Sequence, residues 1–149
     1  MEKVIHELRE LIAASVLLLK DIPESDFSSK PVSHRWSKKE IMGHLIDSAQ
    51  NNLRRFIVSQ YESTPPHIIY QQEFWVSANQ YQKMKTSDVI ELWRLTNAQI
   101  ISVLSSMPPE KQEFLCQTNE PKTLHWLAVD YLRHTRHHLS QVVSIGLNR

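Results

Sequence analysis

His134 and His138 stand four residues apart in the segment Tyr131-Leu-Arg-His-Thr-Arg-His-His-Leu-Ser-Gln141. On an α-helix this spacing stacks two imidazoles on one face, one turn apart. The apolar residues around them are Leu124, Leu127, Ala128 and Tyr131 on one side, Val142 and Ile145 on the other. Continued through the gap, that helical spacing lands on the two histidines. Imidazole suits a core position poorly unless it has a partner, and two on one face can hold one divalent ion. A third, His44, lies in a similar setting in Ile41-Met-Gly-His-Leu-Ile-Asp47. Three protein nitrogens plus water is the open arrangement of catalytic zinc, whereas structural sites are usually closed by four protein ligands. The same donors suit nickel, cobalt or iron(II). The glutamate that follows the first histidine in the metalloprotease helix motif is missing. Taken singly, each histidine reads more plainly as a hydrogen-bonded core residue.

Other residues compete for a place at such a site. Asp47, one turn after His44, could ligate or orient a ligand. Asp130, four residues before His134, could accept from that ring's free N–H. Gln141, three residues after His138, could face the site. Both acids read more plainly as helix-surface charges. His137 points about 100° away from His138 and belongs outside the ligand set. His6, His34, His67 and His125 share no spacing with the others. Gly43 is unusual inside a helix, where it allows close helix approach or room for a ligand. Trp36, Trp75, Trp93 and Trp126 read as core or bundle-end packing, with Trp75 a candidate for a cavity mouth. Cys116 has no visible activator.

Four long helical patterns must position these side chains. The first covers residues 2–20 and stops before Asp21-Ile-Pro23. The second opens on Ser37-Lys-Lys-Glu40, a capping box, and runs to about Tyr61. The third begins near Thr86-Ser87-Asp88, with cap and first-turn acid, and ends before Pro108-Pro109. The fourth begins between Pro121 and Thr123 and ends near Gly146, a C′ glycine. Residues 61–85 form the longest connection, with Glu73-Phe-Trp-Val-Ser as a short helix. That link can cross a bundle whose helices are roughly 36 Å long. Helices two and three then run parallel, and the order is up-down-down-up. Helices two and four become antiparallel. His44 lies roughly 10 Å from the start of helix two, and the histidine pair roughly 16 Å from the end of helix four. All three rings can therefore converge.

The composition fits this all-α reading. The chain has 149 residues, enough for one domain with a real core, and only two glycines, few for a sheet with tight turns. A formal net charge of +1 without basic clusters gives no electrostatic case for nucleic acid or an anionic membrane. Arg54-Arg55, the one short basic run, reads as a solvated helix face. The single cysteine rules out an internal disulfide and fits a reducing cytoplasm. Leu11 to Leu19 is apolar, but Glu2, Glu7 and Glu10 spoil a positively charged leader and no cleavage site follows. No apolar run is long enough to span a bilayer.

The segments Trp36-Ser37-Lys-Lys-Glu40-Ile-Met-Gly-His44-Leu-Ile-Asp47-Ser48 and Thr123-Leu-His-Trp-Leu-Ala-Val-Asp-Tyr-Leu-Arg-His134-Thr-Arg-His-His138-Leu-Ser-Gln141-Val resemble the second-helix and last-helix signatures of the DinB/YfiT-like superfamily. The resemblance spans nearly the whole chain. It implies an up-down-down-up four-helix bundle forming a single domain over residues 1–149. It implies a metal site at His44, His134 and His138, beside which the spacing offers Asp47, Asp130 and Gln141 as candidate supporting residues. The implied ion is zinc or nickel, with iron, cobalt and manganese as alternatives. Family members include thiol transferases and a mycothiol-dependent isomerase, and others called metal-dependent hydrolases; many form dimers. The expectation is a cytoplasmic, homodimeric, metal-dependent thiol S-transferase acting on small electrophiles. Its partners would be a small-molecule thiol and an electrophile, with neither nucleic acid nor membrane. The alternatives are a metal-dependent hydrolase and a non-catalytic metal-binding bundle.

Overall fold

In the computed structural model, which describes residues 1–144, the long helices are α1 (Glu2–Lys20), α3 (Lys38–Val58), α5 (Thr86–Ser106) and α6 (Leu124–Leu139). Short helices α2 (Glu24–Phe27) and α4 (Gln72–Asn79) lie in the connections. The long helices form the expected up-down-down-up bundle. Lys39 Nζ, at the start of α3, donates to the Met84 carbonyl at 3.0 Å, just ahead of α5. The two helices thus start side by side and run parallel, and residues 59–85 make the crossover. His44 near the start of α3 meets His134 near the end of α6, so these two are antiparallel.

Local chemistry explains the helix boundaries. Ser37 caps α3 as predicted: its hydroxyl accepts from the Glu40 N–H at 3.1 Å, and the Glu40 carboxylate accepts from the Ser37 N–H at 2.8 Å. Thr123 caps α6 by accepting from the Trp126 N–H at 3.1 Å. The cap predicted for the third helix is absent. Lys85 holds the N-cap position without a side-chain bond, and the Thr86 hydroxyl donates instead to Glu24. The same Glu24 takes the buried Lys39 ammonium at 2.6 Å, so one carboxylate ties α2, α3 and α5 together.

On α1 the buried residues Val4, Ile5, Leu8, Leu11, Ile12, Ser15, Val16 and Leu19 follow the three-four spacing of one helix face. Trp93 of α5 is fully buried at the centre. A polar thread crosses beside it: the Tyr131 hydroxyl donates to Asn97 Oδ1 at 2.6 Å, and Asn97 Nδ2 donates to the Trp93 carbonyl at 2.8 Å. Among the described residues, no helix is long and apolar enough to cross a membrane.

Two expectations about helix four need correction. The helix ends at Leu139, where the Leu139 carbonyl accepts from the N–H groups of both Val142 and Val143 at 2.9 Å. Gly146 and Ile145 lie outside the described residues. The core stripe also does not pass through the histidines; it continues through Tyr131, Leu132, Thr135 and Leu139. His134 and His138 sit half-buried at its margin, turned toward α3. A hairpin of β1 (Leu115–Gln117) and β2 (Pro121–Thr123) precedes α6 and was not expected, because three-residue strands leave no readable alternation.

Candidate metal centre

His44, His134 and His138 come together as the spacing and topology require. One nitrogen from each ring lies within 4.8 Å of the other two. His44 Nε2 and His134 Nε2 are 3.3 Å apart. Nitrogens bound to one zinc ion at about 2.0–2.1 Å in tetrahedral geometry are separated by about 3.3 Å, so this pair already has a ligating separation. Burial, reinforced by the neighbouring imidazoles, lowers the pKa of His44 to about 4; burial does the same for His134, also to about 4. At neutral pH both rings are uncharged and have a lone pair to give. The donor set fits a divalent metal ion.

The outer ring nitrogens decide which lone pairs face inward. Gln141 Oε1 lies 3.0 Å from His138 Nδ1, so Nδ1 donates to it and Nε2 is left as the acceptor. Ser48 Oγ lies 3.5 Å from His134 Nδ1, a long contact in which the hydroxyl can accept from the ring N–H or donate to the bare nitrogen. The Trp36 ring lies over His44, with centroids 5.1 Å apart and planes 33° apart. His44 is 1% exposed and its Nδ1 has no partner, an orphaned atom that costs about 1–3 kcal/mol. His137 is exposed, as expected for a residue pointing away from the pair.

The three supporting residues separate. Gln141 orients His138, as the sequence suggested. Asp47 is fully buried and makes no hydrogen bond to the histidines: Tyr81 donates to its Oδ1 at 2.6 Å and Asn79 at 2.9 Å, and its Oδ2 has no partner. Burial, partly offset by those two bonds, raises its pKa to about 6. Asp130 pairs with Arg133 on the surface and makes no hydrogen bond to His134. Three-residue spacing to a neighbouring guanidinium wins over four-residue spacing to a neutral imidazole, because the ion pair is the stronger attraction. Gly43 allows a close approach, by the one-turn helix Tyr81–Lys83 at the end of the crossover, and the space it leaves is not open to a ligand. The Tyr81 ring fills the place of its missing side chain, and an added Cβ would sit 2.0 Å from that ring.

Residues 7–142 match the DinB superfamily. The chain belongs to that superfamily. Among its relatives is a "putative metal-dependent hydrolase" of Bacillus mycoides (strain KBAB4), 22% identical over 97% of this chain and 84% of the relative. YfiT of Bacillus subtilis, described as a probable metal-dependent hydrolase with an unusual four-helix bundle topology, superposes with a TM-score of 0.82. It is 23% identical over 95% of this chain and 82% of its own. A mutant of the mycothiol-dependent maleylpyruvate isomerase has a TM-score of 0.78 at 10% identity, over 95% of this chain and 60% of that one. These likenesses show the fold.

In this DinB chain a cavity of about 330 Å³ adjoins the histidines, reaching them at Ser48 and His134. Asn52, Arg55, Tyr70 and Trp126 also line it. Sequence reading missed Ser48, Asn52 and Arg55 as site residues and placed Arg55 on a solvated face. The signal was present: residues 44, 48, 52 and 55 follow helical spacing and share one face of α3. Arg54 is exposed as expected, but Arg55 is half-buried. Trp75 packs edge-to-face against Tyr70, with ring centroids 5.7 Å apart, and does not line the cavity. Cys116 is fully buried and donates to the Pro66 carbonyl.

Proposed function

We propose that the chain is a metal-dependent thiol S-transferase that joins a low-molecular-weight thiol to a small electrophile. The observation carrying this reading is a three-imidazole centre beside a polar cavity, without a free carboxylate among its hydrogen-bond partners. His44, His134 and His138 would hold the ion, zinc or nickel. A divalent ion there supplies Lewis acidity, which makes a bound thiol or water a stronger nucleophile at neutral pH. Attack by a thiolate needs no further base once the thiol proton is lost. Attack by water is helped by a group that takes its proton, and Asp47 neither lines the cavity nor bonds the histidines.

The remaining residues bind, orient and shield. Gln141 and Ser48 fix the rings of His138 and His134, and Trp36 covers one side of His44. The cavity accommodates the body of the thiol. The name of the mycothiol-dependent isomerase supports a thiol as co-substrate on this fold. We extend the proposal to a cytoplasmic homodimer acting on small molecules rather than nucleic acid or membrane.

Hydrolysis is the second reading. The names of the Bacillus relatives favour it, as does Asp130, the one carboxylate that lines the cavity. A single comparison separates the two. Zinc- or nickel-loaded protein is assayed for conjugation of a panel of thiols to 1-chloro-2,4-dinitrobenzene and monobromobimane, and for cleavage of activated esters and amides. Transfer predicts thiol consumption that disappears in His134→Ala. Ester or amide cleavage lost in the same variant, without thiol conjugation, would overturn it.

A further inference from the structure

We propose that the cavity beside the histidines contains an anion-recognising subsite built on Arg55, and that the substrate carries a carboxylate there. This rests on the proposed reaction centre and names the substrate class it would take. Arg55 lies on the same face of α3 as His44, three turns further on. Its guanidinium has five N–H bonds. Nε and Nη2 donate to the Ile68 carbonyl at 3.0 and 2.6 Å, and Nη1 donates to Asn52 Oδ1 at 3.3 Å. One N–H on each terminal nitrogen is left over, two charged donors available to a carboxylate.

The charge is left over as well. Among the described residues, Arg55 has no carboxylate within ion-pair distance. A half-buried cation held only by neutral oxygens has lost water without gaining a counter-ion. A purely structural role, pinning the Ile68 carbonyl, explains the three bonds but not the uncompensated charge facing a cavity. Asn119, Thr118 and Tyr70 add neutral polar groups to the wall, while the carboxylate of Asp130 is engaged by Arg133. Asp130 thus has its own counter-ion in Arg133, and Arg55 is the cation of the wall without a paired carboxylate.

The spacing sets the size of the ligand. Eleven residues along α3 separate His44 from Arg55, about 16 Å of helix. The long Arg55 side chain leans back toward the N-terminus and reaches Asn52, three residues earlier, at 3.3 Å, so its guanidinium lies nearer the histidines than the helix length alone implies. A molecule the size of a tripeptide spans the remaining gap; acetate does not.

The test uses S-methylglutathione, which keeps two carboxylates but has no free thiol, and its dimethyl ester. Binding to the full metal-loaded chain is followed by calorimetry and by the NMR signal of the Arg55 Nε–H. The acid should shift that signal and bind at least ten-fold more tightly than the ester. Arg55→Gln should abolish the preference and Arg55→Lys should keep part of it. Equal binding of acid and ester, or an unchanged preference in folded Arg55→Gln, would overturn the subsite. If Arg55→Gln does not fold, the Nε–H signal of the native chain decides alone. Because the probe has no thiol and the readout is binding, failure here leaves thiol transfer standing, and failure of thiol transfer leaves the subsite standing.

Discussion

At the scale of single residues, the centre depends on groups that set which nitrogen carries the proton. Gln141 Oε1 holds His138 Nδ1–H, and outer hydrogen bonds of this kind change metal affinity about 10–100-fold. Gln141→Ala should therefore weaken zinc binding by about ten-fold or more, measured by competition with a chromogenic chelator, with the helix content intact. The histidines also give the metal-free chain a defined acid response. His44 and His134 titrate at about 4 when folded, against the ordinary 6.5. The unfolded chain binds more protons between those values, so their contribution is complete above pH 6.5 and is lost as pH falls toward 4. For buried His44 the loss is on the order of 2 kcal/mol, and less for half-exposed His134. Urea titrations of metal-free protein at pH 7 and pH 4.5 should show this, and His134→Leu should flatten the profile. An identical profile in the variant would contradict the assignment. The four-residue pair and Gln141 were legible because helical spacing alone puts them on one face. The true partners of Asp47 and Asp130 were not: Tyr81 and Asn79 come from the distant crossover, and Arg133 competes for Asp130 with His134.

At the scale of elements, the crossover does more than connect. Tyr81, at its end, packs against Gly43 and donates to Asp47 at 2.6 Å, on the same stretch of α3 that carries His44. Glycine inside a helix normally costs up to about 1 kcal/mol relative to alanine, so replacing it elsewhere would stabilise the chain. Here the added Cβ meets the ring at 2.0 Å, and overpacking of that kind costs about 1–3 kcal/mol. The second effect outweighs the first. Gly43→Ala should destabilise the chain by about 1–2 kcal/mol net in urea unfolding; a stabilised variant would show that Tyr81 is not held as described. The helices themselves were readable from Ser37-Lys-Lys-Glu40 and from the proline stops. The end of α6 was not, because Val142 and Val143 are buried and so prolong the apolar spacing beyond the helix. The hairpin was hidden for a different reason: its strands are three residues each, too short to show an alternating pattern.

At the scale of the whole molecule, topology brings the centre together. His44 and the pair on α6 are ninety residues apart, and only an antiparallel α3 and α6 let them meet. The length of the 61–85 link was enough to argue that order, since it must cross the bundle for α3 and α5 to lie parallel. The cavity was less legible. It draws on α3, the crossover, the hairpin turn and α6 at once, and no local spacing reports such a junction. The most direct test of the account is metal content, measured by elemental analysis on chain produced without a histidine tag and loaded with zinc or nickel. The native chain should hold one ion per chain, and His44→Ala, with its circular dichroism unchanged, should lose it. A native chain that takes up no ion, or a folded His44→Ala that keeps full occupancy, would contradict the three-histidine centre.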